Sequence, residues 1–363
     1  LVKDKLFFFA MYEARKYQPR NTNDGNTTFF DGDSDSAFWG TKLDWQITDD
    51  HTLEFLAFSD DDNLATDSFD VGADGSRTFE NTTFNESGGK NWALSYTGYL
   101  TDAFSMKAMY GENKRNANVH SLTDDSCTLV QDRRVSSDFI GCTSNTSVVA
   151  REDDRKAARL DFEWQLDSHL LRFGFDHEQN TSDYNSHYPG PGLRYEVNNI
   201  RGHRRAVDAA ATAYVRTREV RNNGTFETDN QAYYLEDNWQ VTDKFLLNLG
   251  VRVEGFDNKD GQGNSYIKQD NMIAPRIGFS FDPKGDASMK IFGNAGRYFL
   301  PVANVINIKQ AGPFLDARTF YVFEGFGPGN IPILGEQIGP VDDEQGDGTV
   351  PDIRGEVDAD MDQ

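Results

Sequence analysis

Apolar and polar residues alternate along this chain with a period of two, and the runs are long. From Phe38 to Ile47, Trp39, Leu43, Trp45 and Ile47 share one parity while Lys42, Asp44 and Gln46 take the other. Leu160, Phe162, Trp164 and Leu166 oppose Arg159, Asp161, Glu163 and Gln165, the cleanest alternation of all. Phe245, Leu247, Leu249, Val251 and Val253 likewise oppose Asn248, Arg252 and Glu254. Period two puts each apolar set on one face of a strand, and helical periodicity is scarce. The pattern recurs around Lys5–Lys16, Thr52–Phe58, Trp92–Leu100, Phe104–Tyr110, Leu171–Phe175, Tyr233–Val241, Ile273–Phe281 and Met289–Phe299, giving about eleven predicted strands. Each runs about 10–13 residues, against the 5–6 usual in soluble sheets; about 9–11 tilted residues cross a bilayer.

The connections sort into two classes. Tight turns lie at Thr48-Asp49-Asp50, Thr101-Asp102, Asp167-Ser168, Thr242-Asp243-Lys244 and Asp282–Asp286. Between them lie long polar segments at Gln18–Ser36, Asp61–Ser87, Asn116–Arg151 and Ser182–Thr228, with a shorter one at Asn258–Gln269. Short turns on one side and long loops on the other are the habit of outer-membrane barrels, and a soluble sandwich has no reason to sort its loops this way. Three hairpins share a Trp-Gln-apolar step before the turn, at Trp45-Gln46-Ile47, Trp164-Gln165-Leu166 and Trp239-Gln240-Val241. Three of the five tryptophans in register predict an aromatic girdle at a membrane interface, rather than rings packed in a soluble core.

Composition taken alone points elsewhere. The 363 residues carry a formal charge of −23 with 37% hydrophobic content, the profile of an acidic soluble protein. A barrel can share that profile because only alternate strand residues meet lipid, while the others and the loops stay wet. No run of about 20 apolar residues exists, so a helical membrane protein is excluded. The acidity also argues against nucleic acid as a partner. Cys127 and Cys142 share one polar segment, where a loop disulfide in an oxidising compartment competes with a pair of free thiols. The chain begins at Leu1 with no signal sequence, so its natural N-terminus is expected upstream. An odd set of strands leaves unpaired edges that a bilayer penalises, so partner strands are expected elsewhere in the protein.

Specific motifs add a family. Val2-Lys3-Asp4-Lys5-Leu6-Phe7-Phe8-Phe9, Leu249-Gly250-Val251-Arg252-Val253-Glu254, Ile273–Pro283 and Gly296-Arg297-Tyr298-Phe299 resemble barrel stretches of the Oar-like (OmpA-related) TonB-dependent receptors. The resemblance implies an all-β fold: an antiparallel transmembrane β-barrel, incomplete, with about 11 of roughly 22 strands, long extracellular loops and short periplasmic turns. Residues 1–299 would be the N-terminal part of that barrel, and 300–363 a long extracellular, acidic segment leading to further strands. The resemblance also implies a Gram-negative outer-membrane location, lipid and lipopolysaccharide as surroundings, and a periplasmic TonB-type energiser. The plug and energiser-binding box of such receptors have no counterpart in these residues, so that contact is expected through a segment before Leu1.

Candidate chemistry is sparse. Asp31-Gly32-Asp33-Ser34-Asp35 resembles the start of a calcium loop, but Ser36 and Lys42 replace the glycine and glutamate an EF-hand needs. A solvated acidic loop is the plainer reading of Asp31, Asp33 and Asp35, and weak loop Ca²⁺ the sharper one; no other cofactor is expected. Asp358-Ala359-Asp360-Met361-Asp362 repeats the pattern more weakly. Arg201-Gly202-His203-Arg204-Arg205 is the main basic run, either an ordinary solvated loop or a contact for lipopolysaccharide phosphate or an anionic ligand. Tyr184, His187, Tyr188 and the Pro189–Gly192 segment either grip a ligand or simply turn the chain. Arg159, Asp161, Glu163, Arg252, Glu254 and Arg276 are expected to form a mixed-charge lumen wall. No nucleophile elbow, phosphate loop or zinc spacing is found, so an enzyme is not expected. Energised uptake of a large or scarce solute is the leading functional expectation. A surface-organising or secretion-linked barrel and a passive porin are its rivals.

Overall fold

A computed structural model describes residues 2–142, 145–199, 212–343 and 345–352. In chain order the elements begin with β1 (Leu6–Ala14), β2 (Arg20–Thr22), β3 (Thr28–Asp33), β4 (Ala37–Thr48), β5 (His51–Ser59), β6 (Asp62–Val71) and β7 (Arg77–Gly88). Then follow β8 (Lys90–Thr101), β9 (Phe104–Ser121), β10 (Leu129–Asp132), β11 (Val148–Leu166), β12 (His169–His187) and β13 (Leu193–Asn199). The last are β14 (Ala213–Thr242), β15 (Phe245–Lys259), β16 (Ser265–Phe281), β17 (Ile291–Gly296), α1 (Asn304–Gln310), β18 (Leu315–Phe326) and β19 (Pro332–Gln337). Among the described residues, all nineteen strands belong to one sheet. No helix among them is long and apolar enough to cross a membrane.

The predicted strands form its frame. β1, β4, β5, β8, β9, β11, β12, β14, β15, β16 and β17 pair in that order, each antiparallel to the next. The sheet is not closed: among the described residues β1 and β17 do not pair with each other. Register keeps the alternation coherent across strands. Leu160, Phe162 and Trp164 stand opposite Ala108, Met106 and Phe104 on one side and Phe175, Phe173 and Leu171 on the other. Their rings touch across strands, Phe104–Phe162 at 5.8 Å, Phe162–Phe173 at 5.1 Å and Phe175–Tyr233 at 4.9 Å between centroids. This outer apolar face stays open, with Trp45, Phe55, Leu94, Trp164, Leu235, Ile273 and Ile277 all exposed. In water so large a contiguous patch is unfavourable, whereas against lipid it is the required surface.

The long polar segments depart from expectation: they are folded, not simple loops. β14 has 30 residues and β11 and β12 have 19 each, where about 10–13 were expected and 9–11 suffice to cross a bilayer. At about 3.3 Å per residue, β14 extends roughly 100 Å. β6 and β7 form a hairpin that adds β3 on one side and the top of β9 on the other. Above the frame, β13 and β18 flank the upper half of β14, β10 runs parallel beside β13, and β19 joins β18. β3, β6, β7 and the upper part of β14 carry many Thr, Asn, Asp and Arg residues and show no clean alternation, whereas β13 alternates Leu193, Tyr195 and Val197 with Arg194, Glu196 and Asn198 inside a long polar segment. The fully buried residues gather here, including Leu129, Val130, Val197, Val215 and Phe226.

The Trp-Gln repeat has a local cause. Each glutamine's Nε2 donates back to carbonyls of its own turn: Gln46 to Thr48 at 2.7 Å and Asp49 at 3.1 Å, Gln165 to Asp167 at 2.8 Å, Gln240 to Thr242 at 2.7 Å. Each backbone N–H also donates across to the preceding hairpin, to Lys5, Ala103 and Ser168 respectively at 2.7–2.8 Å. The glutamine therefore closes its turn and ties it to its neighbour, while the preceding tryptophan faces outward. Replacing Gln46, Gln165 and Gln240 together by Ala is expected to cost about 0.5–1 kcal/mol per turn. Urea unfolding in phospholipid vesicles measures it, and an unchanged midpoint would remove the amides from this role.

Candidate functional site

The inner face of the sheet carries the charges the sequence placed there. Arg159 Nε donates to Asp161 at 2.8 Å and lies 3.6 Å from Asp176 on β12. Arg252 on β15 reaches the other oxygen of Asp176 at 2.8 Å and also pairs with Glu254. Tyr234 on β14 donates its hydroxyl to Asp161. Asp176, held between two guanidiniums, thus ties β11, β12 and β15 together, and the Tyr234–Asp161 bond adds β14. Gly174 makes room: a Cβ there would meet the Leu160 carbonyl oxygen at 2.4 Å and the Tyr234 ring at 2.7 Å. A recess of about 390 Å³ opens beside this network, lined by Arg155, Glu178 and Met272 as well as Arg159 and Arg252.

Two of the expected wall residues stand apart from the network. Glu163 pairs with Arg172 at 2.8 Å nearer the turns. Arg276 lies over the Tyr298 ring at 4.6 Å. Asp176 and Tyr234 were not singled out in the sequence. Asp176 sits on the polar parity between Phe175 and His177, so its face was legible, but its partners depend on register.

Higher up, the same face is narrowed by α1. Asn304 donates to Ser182 Oγ at 3.1 Å and to the Phe226 carbonyl at 3.2 Å. Asn307, fully buried, accepts from Asn258 at 2.7 Å and from Tyr266 at 2.6 Å, and donates to Thr228 at 3.1 Å. Asn222 donates to the Ile308 carbonyl at 2.7 Å. The helix is therefore fixed to β12, β14, β15 and β16 by asparagine side chains, an arrangement that the Gly/Pro-rich sequence around it does not signal.

Above α1, on the side away from the short turns, lies a compact module. Cys127 and Cys142 are joined in a disulfide with Cα atoms 5.6 Å apart. The Tyr188–Gly192 segment is where β12 bends into β13. Tyr188 is buried, Gly190 has φ +62°, and its N–H donates to the Asp124 carbonyl. A Cβ on Gly190 would meet the Cys127 carbonyl oxygen at 2.5 Å, so here the glycine serves the packing of the disulfide segment. Asp316 is 1% exposed and takes a two-pronged pair from Arg218, at 2.8 and 2.9 Å, with Arg318 at 2.7 Å. Burial pushes its carboxyl up, but the hydrogen bonds and charge of the two arginines outweigh this and hold it below the usual carboxylate range.

Trp45, Trp164 and Trp239 lie on the outer face beside the short turns, with Trp239 stacked on His169 at 5.1 Å. Asp31, Asp33 and Asp35 each have a partner of their own. Asp31 pairs with Arg20 at 2.8 Å, Asp33 accepts from Gln18 at 2.7 Å, and Asp35 lies 3.7 Å from Lys16. The three carboxylates go to separate partners, and no cluster of metal-ligating side chains exists among the described residues. The basic run at Arg201–Arg205 and the acidic repeat at Asp358–Asp362 lie outside the described residues.

Both charge arrangements, the half-buried one at Asp176 and the buried one at Asp316, can be probed by substitution. Asp176→Ala leaves Arg159 and Arg252 facing each other and is expected to destabilise the frame by about 1–3 kcal/mol; Asp176→Asn, which keeps the shape, separates charge from packing in urea unfolding. For Asp316, the folded value lies below the unfolded one, so its stabilisation is present above about pH 4 and lost as pH falls through the depressed value. Limited proteolysis within β18 should therefore increase on acidification from about pH 7 to about pH 3 in the native chain. In Asp316→Asn it should be elevated already at neutral pH.

Comparison with known proteins agrees with this geometry. The family model described as "TonB dependent receptor-like, beta-barrel" matches residues 14–325. A stretch of 66 residues is 35% identical to the TonB-dependent transporter Oar of Myxococcus xanthus, covering 18% of this chain and 6% of that protein. The solved outer membrane transporter YddB from Escherichia coli superposes with a TM-score of 0.55 at 13% identity, over 90% of this chain and 43% of that one. The ferripyoverdine receptor of Pseudomonas aeruginosa gives 0.45 at 10% identity, over 87% and 47%. The chain spans less than half of these solved proteins. Its alternating strands, short and tall ends and open antiparallel sheet are those of a barrel wall, and the chain belongs to the TonB-dependent receptor-like β-barrel family of the Gram-negative outer membrane.

Proposed function

We propose that this chain supplies part of the wall of an outer-membrane receptor that takes up a large or scarce solute with energy from a periplasmic TonB-type partner. The observation that carries the reading is the uninterrupted β14. Its inner face runs from the charged wall at Tyr234 past α1 to Arg218 in the extracellular module, with no register shift against β12. A tall, folded vestibule continuous with a hydrated inner face is what a solute-collecting barrel needs, and a passive sieve does not require it. In this reading residues 1–299 belong to the barrel, and 300–363 form the extracellular segment leading to further strands. The energiser acts on a part of the receptor other than this wall. Trp45, Trp164 and Trp239 mark the periplasmic edge of the lipid, with lipopolysaccharide around the opposite end.

The test compares cells lacking the receptor, complemented cells, and complemented cells without the energiser. Mass spectrometry of spent medium identifies what each strain depletes. Energised uptake predicts a solute depleted only when both are present. Depletion without the energiser means a passive pore, and no difference in depletion beside altered surface protein export means a secretion-linked role. The membrane placement has its own check: brominated lipid should quench the fluorescence of Trp45, Trp164 and Trp239, and single Phe replacements should each reduce that quenching.

A further inference from the structure

We infer that the extracellular module holds a binding face for a compact polyanion, a solute bearing two or more phosphate or carboxylate groups. Arg194 on β13, Arg218 on β14 and Arg318 on β18 stand directly opposite one another across three adjacent strands. Arg216 is on the same face of β14, paired with Glu196 of β13, and Arg133 follows β10 beside them. Like charges in direct cross-strand register are destabilising unless something offsets them. Two buried carboxylates do so in part, Glu196 and Asp316, each 1% exposed.

They do not suffice. Glu196 serves three guanidiniums, Arg133 at 3.3 Å, Arg194 at 2.8 Å and Arg216. Its contact with Arg194 is one of charge without hydrogen-bond alignment at Oε1. Asp316 serves Arg218 and Arg318. Among the described residues, five guanidiniums thus share two carboxylates, and the Nε–H groups of Arg194 and Arg216 are buried without a partner. A local surplus of positive charge in a chain of net charge −23 needs an outside counter-charge. Planar forks at fixed spacing suit oxyanions that accept two hydrogen bonds at once.

Direction identifies the source. Arg216 and Arg218 share the parity of Tyr234 and Ala232 on β14, and the β12–β14 register has no slip, so the face looks into the vestibule rather than toward the lipid leaflet. A solute entering from the medium meets it before reaching α1. The inference deepens the uptake reading by naming a ligand class, and rests on it only for the direction of travel.

The test is calorimetric titration of the intact detergent-solubilised protein with inorganic pyrophosphate and, separately, tricarballylate, at low and high NaCl. Binding that weakens with salt is expected. Arg133→Gln and Arg216→Gln should each weaken it about tenfold, the loss of one charge-assisted hydrogen bond. Glu196→Gln should tighten it, because the face becomes more positive; a cluster with a purely structural role gives no such gain. Where Glu196→Gln fails to fold, as judged by proteolysis, Arg133→Glu replaces it and should abolish binding, since Arg133 is the most exposed of the five. No binding by the native protein at low salt, or affinity indifferent to the arginine variants, overturns the inference. Binding only to vesicles containing lipopolysaccharide, without competition by the soluble anions, overturns it too. Anion binding that persists while energised uptake fails leaves the site standing and removes the transport reading.

Discussion

The backbone hydrogen bond in a medium without water governs this molecule. Inside hydrocarbon an unpaired N–H or C=O costs several kcal/mol, so a chain that spans with strands must give every one of them a neighbour. The meander from β1 to β17 does this strand by strand, with every second register, as at β4–β5 and β16–β17, closed by a short turn. Once register is fixed, parity is fixed, and every side chain in the frame is committed either to lipid or to the inner face. The outer aromatic contacts, the inner ion pairs and the glutamine-closed turns are consequences of that commitment.

The same constraint lapses above the bilayer, and the structure uses the freedom. β11, β12 and β14 continue well beyond the length a membrane needs, and water-exposed edges there recruit β13, β18, β10 and β19. A conventional core becomes possible only in this region, and it is here that Leu129, Val197, Val215 and Phe226 are fully buried. The disulfide and the buried carboxylates belong to this module as well. The protein thus has two stabilising regimes along one strand: lipid-facing parity below, and burial with charge pairing above.

Charge is arranged with equal economy of position. The inner wall places Asp176 between Arg159 and Arg252, so its cations are matched close to where they stand. The vestibule face leaves its arginines in excess over Glu196 and Asp316. On the proposed uptake path, a face positive at its mouth and balanced below would attract anions without trapping them along the wall, and that difference in charge is a property of the tertiary arrangement rather than of the strongly acidic composition.

Alternation alone determined the frame. Every predicted strand, from Lys5–Lys16 to Met289–Phe299, has its counterpart in the meander, because apolar residues at period two have only one way to share a lipid face. Arg159, Asp161, Arg252 and Glu254 were legible for the same reason: they stand on the opposite parity of the same strands. The folded loops were mostly hidden, since Thr, Asn, Asp and Arg on both faces of β7 and upper β14 carry no period that a hydrophobic pattern reveals; the alternation of β13, Leu193, Tyr195 and Val197, was a signal too short to stand out in its polar segment. The calcium-like spacing at Asp31–Asp35 does not tell which neighbours reach each carboxylate; the partners Arg20, Gln18 and Lys16 come from the fold. The alignment of Arg194, Arg218 and Arg318, and the seat of Asp176 between two guanidiniums, were decided by tertiary structure. Those residues are far apart in sequence, and only register between strands brings them face to face.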